Sequence, residues 1–315
     1  MWSTKDIPAQ RGRVAVVTGA NGGLGLATAT ALAAAGAHLV MAARDRPKAD
    51  RACQRIRAAH PGASVEVVPL DLGSLESARS AAADIRTRHP RIDLLINNAG
   101  VMAVPESVTA DGLETQFAVN HLGHWVLTAG LLPALVRTPG ARVVTLTSSA
   151  QHFGRAVAPG GPYLGRPYTP WRAYDTSKLA NRHFAQGLDR RFRAAGLSAR
   201  ALTAHPGFTD SDLFDTTRAA GAAGTRGRVL HSVTRAVGMD TERGVLSQLR
   251  AATDPHAEGG TLYGPLWVVT GPPVARRLIR PGADRAISRL WQVSRRLTGV
   301  DVDVAGALAE SAGHA

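Results

Sequence analysis

Residues 14–25 read Val14-Ala-Val-Val-Thr18-Gly19-Ala-Asn21-Gly22-Gly23-Leu24-Gly25, an apolar run that passes into a glycine-rich turn. The run predicts a buried strand, and the Ala- and Leu-rich stretch 24–35 predicts a helix after it. Glycines let the turn tighten until its backbone can approach a pyrophosphate, and the amino terminus of the helix attracts that anion. The stretch therefore predicts a dinucleotide-binding βα unit, with a glycine-rich turn that binds nothing as the alternative.

The same alternation of apolar runs and amphipathic stretches continues along the chain. It predicts further strands at 38–42, 65–70, 94–97, 142–147 and 199–204, and helices at 48–60, 75–89, 113–135 and 174–195. Such an alternation indicates an α/β fold: a single doubly wound Rossmann domain with a mostly parallel sheet and helices on both faces. We expect one domain over 1–315, with substrate-side insertions at 152–172 and 208–235 and a helical extension and tail at 271–315.

Composition excludes several classes of protein. The chain has 315 residues, and its hydrophobic fraction of 44% excludes disorder. Its one cysteine excludes a disulfide scaffold and a cysteine-clustered metal site. No apolar stretch approaches the length of a membrane span, and residues 1–12 are too polar for a signal peptide, so we expect a cytoplasmic protein without an anchor. The net charge of +13 is dispersed, without a basic run or stacking motif, so we expect no nucleic-acid partner.

The end of the second strand indicates the type of dinucleotide. Sites that prefer NAD(H) carry an acidic residue there, which binds the ribose 2′-hydroxyl. Here Ala43 occupies that position, so no carboxylate repels a 2′-phosphate. Arg44 follows, and its guanidinium can bind a 2′-phosphate through two hydrogen bonds. Two alternatives stay open for Asp45, which either pairs with Arg44 or serves as the acid in a shifted register. The sequence favours NADP(H) over NAD(H).

Two later strand ends extend the predicted cofactor site. Asp71 and Leu72 follow the third strand, where they can touch an adenine. Asn98, Ala99 and Gly100 follow the fourth strand as a small, polar exit beside the central part of a dinucleotide. Each of these segments, taken alone, also suits an ordinary loop after a strand.

Tyr174 and Lys178 are the strongest candidates for reacting groups. They stand at positions i and i+4, on one face of a predicted helix. A nearby ammonium favours the phenolate, so we expect Lys178 to lower the pKa of Tyr174. The chain has only three lysines among its 37 basic residues, which makes a lysine at this position notable. Ser148, with Ser149 as an alternative, ends the fifth strand, where a hydroxyl points toward the cofactor's reactive ring.

Asn120 is a polar residue in an otherwise apolar predicted helix, which suits either a functional residue or a satisfied core amide. Three histidines, at positions 121, 124 and 152, lack the His-His-carboxylate spacing of a metal centre. We therefore expect no metal.

Together these residues resemble the short-chain dehydrogenase/reductase family. The resemblance rests on Thr18-Gly19-x-x-x-Gly23-x-Gly25, Asn97-Asn98-Ala99-Gly100, Asn120, Ser148, Tyr174-x-x-x-Lys178 and Pro206-Gly207, and it spans about residues 12–213. The segments around Arg44-Asp45, Val119-Asn-His-Leu-Gly-His and His205-Pro-Gly are similar to its retinol-dehydrogenase-like and protochlorophyllide-reductase-like branch.

The resemblance implies hydride transfer between nicotinamide C4 and a carbonyl or alcohol, with Tyr174 as general acid or base. It also implies that Lys178 holds the nicotinamide ribose, that Ser148 hydrogen-bonds the substrate oxygen and that Asn120 positions a water in a proton relay. The cofactor-binding set that it implies is Gly19, Asn21, Gly22, Gly23, Leu24, Gly25, Arg44, Asp71, Leu72, Asn98, Ala99, Gly100, Tyr174, Lys178, Pro206, Gly207, Thr209 and Ser211.

Two positions depart from the family pattern: Thr209 replaces the usual aliphatic residue, and Ser211 replaces the usual threonine while keeping its hydroxyl. The amino-terminal anchor of membrane-bound retinol dehydrogenases is not expected here. Retinoids, steroids, polyketide-like ketones and small aldehydes all stay open as small-molecule substrates. The resemblance also implies a homo-oligomer, a dimer or tetramer. A non-catalytic NADP(H)-binding sensor or scaffold is the alternative function.

Overall fold

The computed structural model describes residues 1–162, 167–209, 227, 238–277 and 281–312. In these ranges the fold is built on an eight-stranded sheet in the order β3-β2-β1-β4-β5-β6-β7-β8, parallel throughout except for the antiparallel pair β7 and β8. The strands are β1 Val14–Thr18, β2 His38–Ala43, β3 Val65–Pro69, β4 Leu94–Asn97, β5 Arg142–Leu146, β6 Arg200–Ala204, β7 Leu262–Pro265 and β8 Pro273–Arg276. The predicted α/β fold class is confirmed.

Helices connect the parallel strands. They are α1 Gly23–Ala34, α2 Arg46–Ala59, α3 Leu75–Arg88, α4 Thr115–Phe117, α5 Gly123–Val136, α6 Pro170–Ala194, α7 Thr241–Gly244, α8 Leu246–Thr253, α9 Ala283–Thr298 and α10 Val304–Ala312. Short 3₁₀ turns lie at Thr4–Asp6 and Ser149–His152. No helix within the described ranges has the length and apolar character needed to cross a membrane.

Successive strand residues point to opposite faces of the sheet and form two apolar cores. Val16 and Val143 belong to the core under α3, α5, α6, α9 and α10. Val17 and Val144, the next residues along the same strands, belong to the core under α1, α2 and α8. The doubly wound arrangement therefore follows from the apolar runs, in which most residues are buried on one face of the sheet or the other.

The carboxyl-terminal helices form part of the first core. Trp291 of α9 stacks on Phe184 of α6 with ring centroids 5.7 Å apart, and it meets Trp125 of α5 edge-on at 5.0 Å. Gly187 makes room for the indole, because a methyl group there would collide with the Trp291 ring. The Arg191 guanidinium covers the other side of the indole, 3.9 Å from the ring centroid. The extension expected at 271–315 thus contributes β8, α9 and α10 in its described part.

Three features of the fold differ from the sequence predictions or lie outside them. The single helix predicted at 113–135 is divided into α4, a π-helical turn at Ala118–Leu122, and α5. An α and a π turn bury the same apolar positions over so short a length, so the sequence pattern cannot separate them. The last two strands were not predicted, since each has four residues and includes proline. Of the expected 208–235 insertion, only residues 208, 209 and 227 are described.

Candidate active site

A cavity of about 850 Å³ opens at the carboxyl ends of the parallel strands, the edge where open α/β sheets bind ligands. Every predicted cofactor residue in the described ranges lines it: Gly19, Asn21, Gly22, Gly23, Leu24, Gly25, Arg44, Asp71, Leu72, Asn98, Ala99, Gly100, Tyr174, Lys178, Pro206, Gly207 and Thr209. Ser211 lies outside the described residues. The structure therefore brings the remaining set together around one space.

The glycine-rich turn has the shape that a pyrophosphate needs. Gly19 and Gly23 adopt positive φ angles of 66° and 47°, a region that side chains disfavour. A methyl group on Gly25 would collide with the Gly19 carbonyl, so the turn closes only because residue 25 has no side chain. Helix α1 begins at Gly23, and the residues of its first turn line the cavity, where a helix amino terminus offers amide groups to an anion. The turn fits the phosphates of a dinucleotide.

Thr18 joins the glycine-rich turn to the end of β4. Its hydroxyl oxygen accepts hydrogen bonds from the backbone N–H groups of Asn98 at 2.9 Å and Ala99 at 3.0 Å. The Asn98 side chain returns a hydrogen bond to the Thr18 carbonyl at 2.9 Å. Two segments distant in sequence are thereby fixed against each other on the floor of the cavity.

The end of β2 presents cations to the cavity. Ala43 is buried, and Arg44, which follows it, is exposed and lines the cavity. The Asp45 carboxylate caps α2 by accepting a hydrogen bond from the Lys48 backbone N–H at 2.8 Å. Lys48 also lines the cavity, which the sequence analysis missed; its position one helical turn after Arg44 was the available signal. The end of the cavity beside β2 thus carries two cationic side chains.

Tyr174 and Lys178 lie side by side in the first turns of α6. Both side chains are buried at the inner end of the cavity, and Lys178 Nζ is 5.6 Å from the centroid of the Tyr174 ring. Nζ donates a long hydrogen bond of 3.5 Å to the carbonyl of Leu146, at the end of β5. The Thr147 hydroxyl donates to the Lys178 carbonyl at 2.7 Å and ties the helix to that strand end.

The pKa of Tyr174 shifts upward, opposite to the predicted direction. Burial raises the pKa of this phenol to about 12; a hydrogen bond from Ser148 opposes the rise, and the nearby Asp175 adds to it. Burial also lowers the pKa of the Lys178 ammonium to about 8. The net shift is therefore opposite to the predicted lowering, because desolvation of the phenol is the largest effect on its pKa.

Ser148 is the serine that meets Tyr174. Its hydroxyl hydrogen-bonds the Tyr174 side chain and also accepts from the Ala150 backbone N–H at 3.3 Å, as the cap of the turn Ser149–His152. Ser149 also lines the cavity. A ligand oxygen at the inner end would therefore meet two adjacent hydroxyl groups, those of Ser148 and Tyr174.

Asn120 lies in the π-helical turn, behind the cavity wall. Its side chain donates to the Val101 carbonyl and to Ser177 Oγ, each at 2.9 Å, and accepts from the Val101 backbone N–H at 2.8 Å. A β-carbon on Gly100 would lie 2.9 Å from Asn120 Oδ1 and 3.3 Å from Lys178 Nζ, so only glycine lets these groups approach each other. Both amide hydrogens of Asn120 and one lone pair of its Oδ1 are thus used by the protein, and the side chain holds the loop after β4.

One side of the cavity is apolar. Met102, Ala150, Phe153, Trp171 and Phe208 line it beside Tyr174, and the Trp171 and Tyr174 rings meet edge-on at 6.3 Å. These residues lie in segments where the family pattern says least, so the sequence analysis did not name them individually. The wall suits an uncharged organic group next to the Tyr174 hydroxyl.

Gln116 of α4 connects the segments that form the apolar side of the cavity. Its side chain accepts from the Ala103 backbone N–H at 2.8 Å and donates to Tyr168 Oη at 2.8 Å and to the Pro170 carbonyl at 2.9 Å. The loop after β4 and the start of α6 are therefore held together by one buried amide. Part of the expected insertion 152–172 thus reaches the cavity, while residues 163–166 lie outside the described ranges.

Comparison with known proteins agrees with this geometry. Residues 13–221 match the family model for short chain dehydrogenases. The chain is similar to polyprenol dehydrogenase from Mus musculus, at 37% identity over 302 residues that cover 93% of this chain and 86% of the relative. It is also similar to retinol dehydrogenase 13 from Homo sapiens, at 41% identity over 202 residues that cover 64% of this chain and 60% of that relative's length.

Solved structures show the same fold. An uncharacterized protein from Mycobacterium Paratuberculosis superimposes with a TM-score of 0.77 at 37% identity, covering 96% of this chain and 98% of that one. An NAD(P)-dependent gluconate 5-dehydrogenase from Beutenbergia cavernae, solved with NADP, gives 0.64 at 26% identity over 81% and 95% of the two chains. The chain therefore belongs to the short-chain dehydrogenase/reductase family of oxidoreductases, in its retinol-dehydrogenase-like branch.

Proposed function

We propose that the protein is an NADP(H)-dependent reductase of aldehydes or ketones, or in the reverse direction a dehydrogenase of the corresponding alcohols. The observation that carries the proposal is the meeting of the Ser148 and Tyr174 hydroxyls at the inner end of the cavity, with Lys178 buried beside them. When bound, NADPH supplies a hydride from nicotinamide C4 to the carbonyl carbon of the substrate.

Residues of this chain would hold the cofactor along the cavity. The amino terminus of α1 and its glycine-rich turn would bind the pyrophosphate, and Arg44 would bind the 2′-phosphate, since these residues line the cavity. Asp71 and Leu72 would border the adenine, and Asn98, Ala99 and Gly100 the central part of the molecule. Lys178 would bind the nicotinamide ribose, and the group Pro206, Gly207 and Thr209 would contact the carboxamide.

Tyr174 would act as general acid in the reductive direction. A phenol with a pKa of about 12 keeps its proton at neutral pH, so Oη can donate it to the substrate oxygen as that oxygen gains charge. The Ser148 hydroxyl would donate a second hydrogen bond to the same oxygen. The Lys178 ammonium would stabilise the phenolate that remains after proton transfer, since Nζ lies 5.6 Å from the centroid of the Tyr174 ring. Asn120 would position a water on the path that returns a proton.

The apolar wall indicates the substrate class. Met102, Trp171 and Phe208 offer no charged or strongly polar group to a substrate, so we infer an apolar carbonyl compound or alcohol. The relatives named for retinol and polyprenol act on long apolar alcohols by their names, which supports the same inference. A cytoplasmic location and a homo-oligomeric state stay predictions, and fractionation and light scattering measure them.

The test is Tyr174→Phe, which removes the proton donor and leaves the ring in place. We expect oxidation of NADPH with an apolar aldehyde to fall by at least about a hundredfold. Tyr263→Phe is the matched control, because Tyr263 is buried to the same degree on β7 but does not line the cavity. Full activity of Tyr174→Phe would reject the proposed mechanism.

A further inference from the structure

Three metal-ligating side chains meet at a place that the proposed function does not use. His38 is the first residue of β2, Glu66 is the second residue of β3, and His89 follows the end of α3. One ligand atom from each lies within 4.8 Å of the other two. The amino ends of parallel strands lie at the edge of the sheet opposite their carboxyl ends. This cluster therefore lies at the edge opposite the cavity.

Both imidazoles direct the same atom toward the same carboxylate oxygen. His89 Nε2 is 2.5 Å from Glu66 Oε1, and His38 Nε2 is 3.4 Å from that oxygen. The two rings are tilted by 44°, with centroids 4.9 Å apart. Two nitrogens and one oxygen, each from a different element of the fold, therefore lie close enough together to share one ion.

Neighbouring groups hold the ligands in this orientation. His38 Nδ1 is 2.7 Å from Ser64 Oγ, a contact that fixes the ring and leaves Nε2 for the cluster. The other oxygen of Glu66, Oε2, accepts a hydrogen bond from Arg88. Ligating histidines and carboxylates in metal sites have partners of this kind on the atoms that do not touch the ion.

The charge balance favours a cation despite the nearby arginine. Arg88 is paired with Asp84 through two of its nitrogens, one of them Nε at 3.0 Å from Asp84 Oδ1. The negative charge of Asp84 thus balances the positive charge of Arg88. With both imidazoles neutral, the Glu66 carboxylate gives the five side chains together a net charge of −1. All three ligand side chains are partly exposed, so an ion can reach them from solvent and keep water ligands.

We propose that His38, Glu66 and His89 form a binding site for a divalent transition-metal ion of the zinc type. Two imidazole nitrogens with one carboxylate oxygen suit Zn²⁺, Ni²⁺ or Cu²⁺ and do not suit Mg²⁺ or Ca²⁺, which prefer oxygen ligands. An ion about 2.0–2.2 Å from each ligand atom replaces the His89–Glu66 hydrogen bond after a small opening of the group. It would link β2, β3 and the end of α3.

The spacing of histidines 121, 124 and 152 predicts no metal, and this spacing carries no information about other clusters. The ligands at 38, 66 and 89 are too widely separated for a spacing motif to reveal them. They meet because β2 and β3 pair in parallel with Val40 opposite Glu66, which brings both strand starts to one edge of the sheet.

The experiment is a calorimetric titration of the tag-free, full-length protein with ZnCl₂ after treatment with a chelator, followed by Co²⁺ absorption spectroscopy. We expect one saturable Zn²⁺ per chain, cobalt bands typical of a site with nitrogen ligands, and no binding of Mg²⁺. His89→Gln and Glu66→Gln should each weaken Zn²⁺ binding by at least about tenfold.

The matched control is His60→Gln, because His60 ends α2 as His89 ends α3 but does not belong to the cluster. Circular dichroism of each variant in chelator shows that it is folded before it is titrated. If a variant does not fold, anomalous scattering at the zinc edge from a crystal of the wild-type protein replaces it. Absence of saturable binding, equal affinity in His89→Gln, or zinc at other residues in the crystal overturns the proposal.

Discussion

The imidazole of His124 lies 2.9 Å, through its Nε2, from the hydroxyl of Thr18. The Asn120 carbonyl can only accept, so His124 Nδ1 donates to it at 3.1 Å, and in a neutral ring Nε2 then accepts from the Thr18 hydroxyl. The Ile96 carbonyl is a second, longer acceptor for that hydroxyl, at 3.4 Å. Burial lowers the pKa of His124 to about 4, and the nearby Lys178 adds to this effect, so the ring is neutral at neutral pH. One side chain thereby joins the glycine-rich turn to the π-helical turn.

We expect His124→Leu to lower kcat by about ten- to a hundredfold, because the hydrogen bonds that connect Thr18 with the Asn120 backbone are lost. Unsatisfied buried partners should also lower the free energy of unfolding by about 1–3 kcal/mol. Steady-state kinetics and urea unfolding measure the two effects, with the exposed His256→Gln as control. A purely structural role would lower stability and leave kcat unchanged in the folded fraction.

We expect Arg44→Ala to raise the KM for NADPH by about tenfold or more and to change the KM for NADH little. The reason is that a guanidinium adds charge-assisted hydrogen bonds only where a 2′-phosphate is present. Arg46→Ala is the matched control, since Arg46 is two residues away, pairs with Asp50 and does not line the cavity. Equal effects of Arg44→Ala on the two cofactors would contradict the preference for NADP(H).

We expect Lys178→Met to raise stability at neutral pH while abolishing activity. The pKa of Lys178 is lowered to about 8 in the folded protein and is near 10.5 in the unfolded chain, so the unfolded chain binds more protons between these values. The wild-type protein should therefore gain stability as pH rises from about 7.5 to 9.5, by up to a few kcal/mol.

Urea unfolding at several pH values measures this slope, which Lys178→Met should flatten. Lys5→Met, at an exposed position, is the control. The window stops below pH 10 because Tyr174, with a pKa raised to about 12, contributes the opposite slope above its unfolded value. A slope that persists unchanged in Lys178→Met would show that other groups produce it.

We expect Gly187→Ala to destabilise the protein by up to about 2 kcal/mol. A methyl group at this position meets the rigid Trp291 ring, which costs about 1–3 kcal/mol, and the better helix propensity of alanine offsets about 1 kcal/mol. Gly62→Ala is the control, because nothing lies within 4 Å of the β-carbon it adds. Thermal unfolding distinguishes the two variants, and equal midpoints would mean that α9 moves aside freely.

The sequence predicted the parts of the protein that depend on local pattern. Apolar runs such as 14–18 and 142–147 identified six of the seven parallel strands, β1 to β6, because a strand buried on both faces has a distinctive composition. The glycine-rich turn and the Tyr174–Lys178 spacing marked two ends of one cavity, because close approach and helical periodicity are short-range requirements.

Properties that depend on distant neighbours were not predictable in the same way. The sign of the Tyr174 pKa shift depends on how fully the surrounding fold removes water from the phenol. The meeting of His38 with His89, and the entry of Lys48 into the cavity wall, depend on strand register and on where each helix begins. A single sequence carries no local signal for such distances.

The position of Trp291 has a consequence for the order in which the chain can fold during synthesis. The aromatic surface of Trp125 and Phe184 is complete long before α9 leaves the ribosome, yet its cover comes from that late helix. A nascent chain therefore carries an open aromatic surface until α9 emerges. Chaperones that bind such surfaces would be needed most between the synthesis of α6 and that of α9.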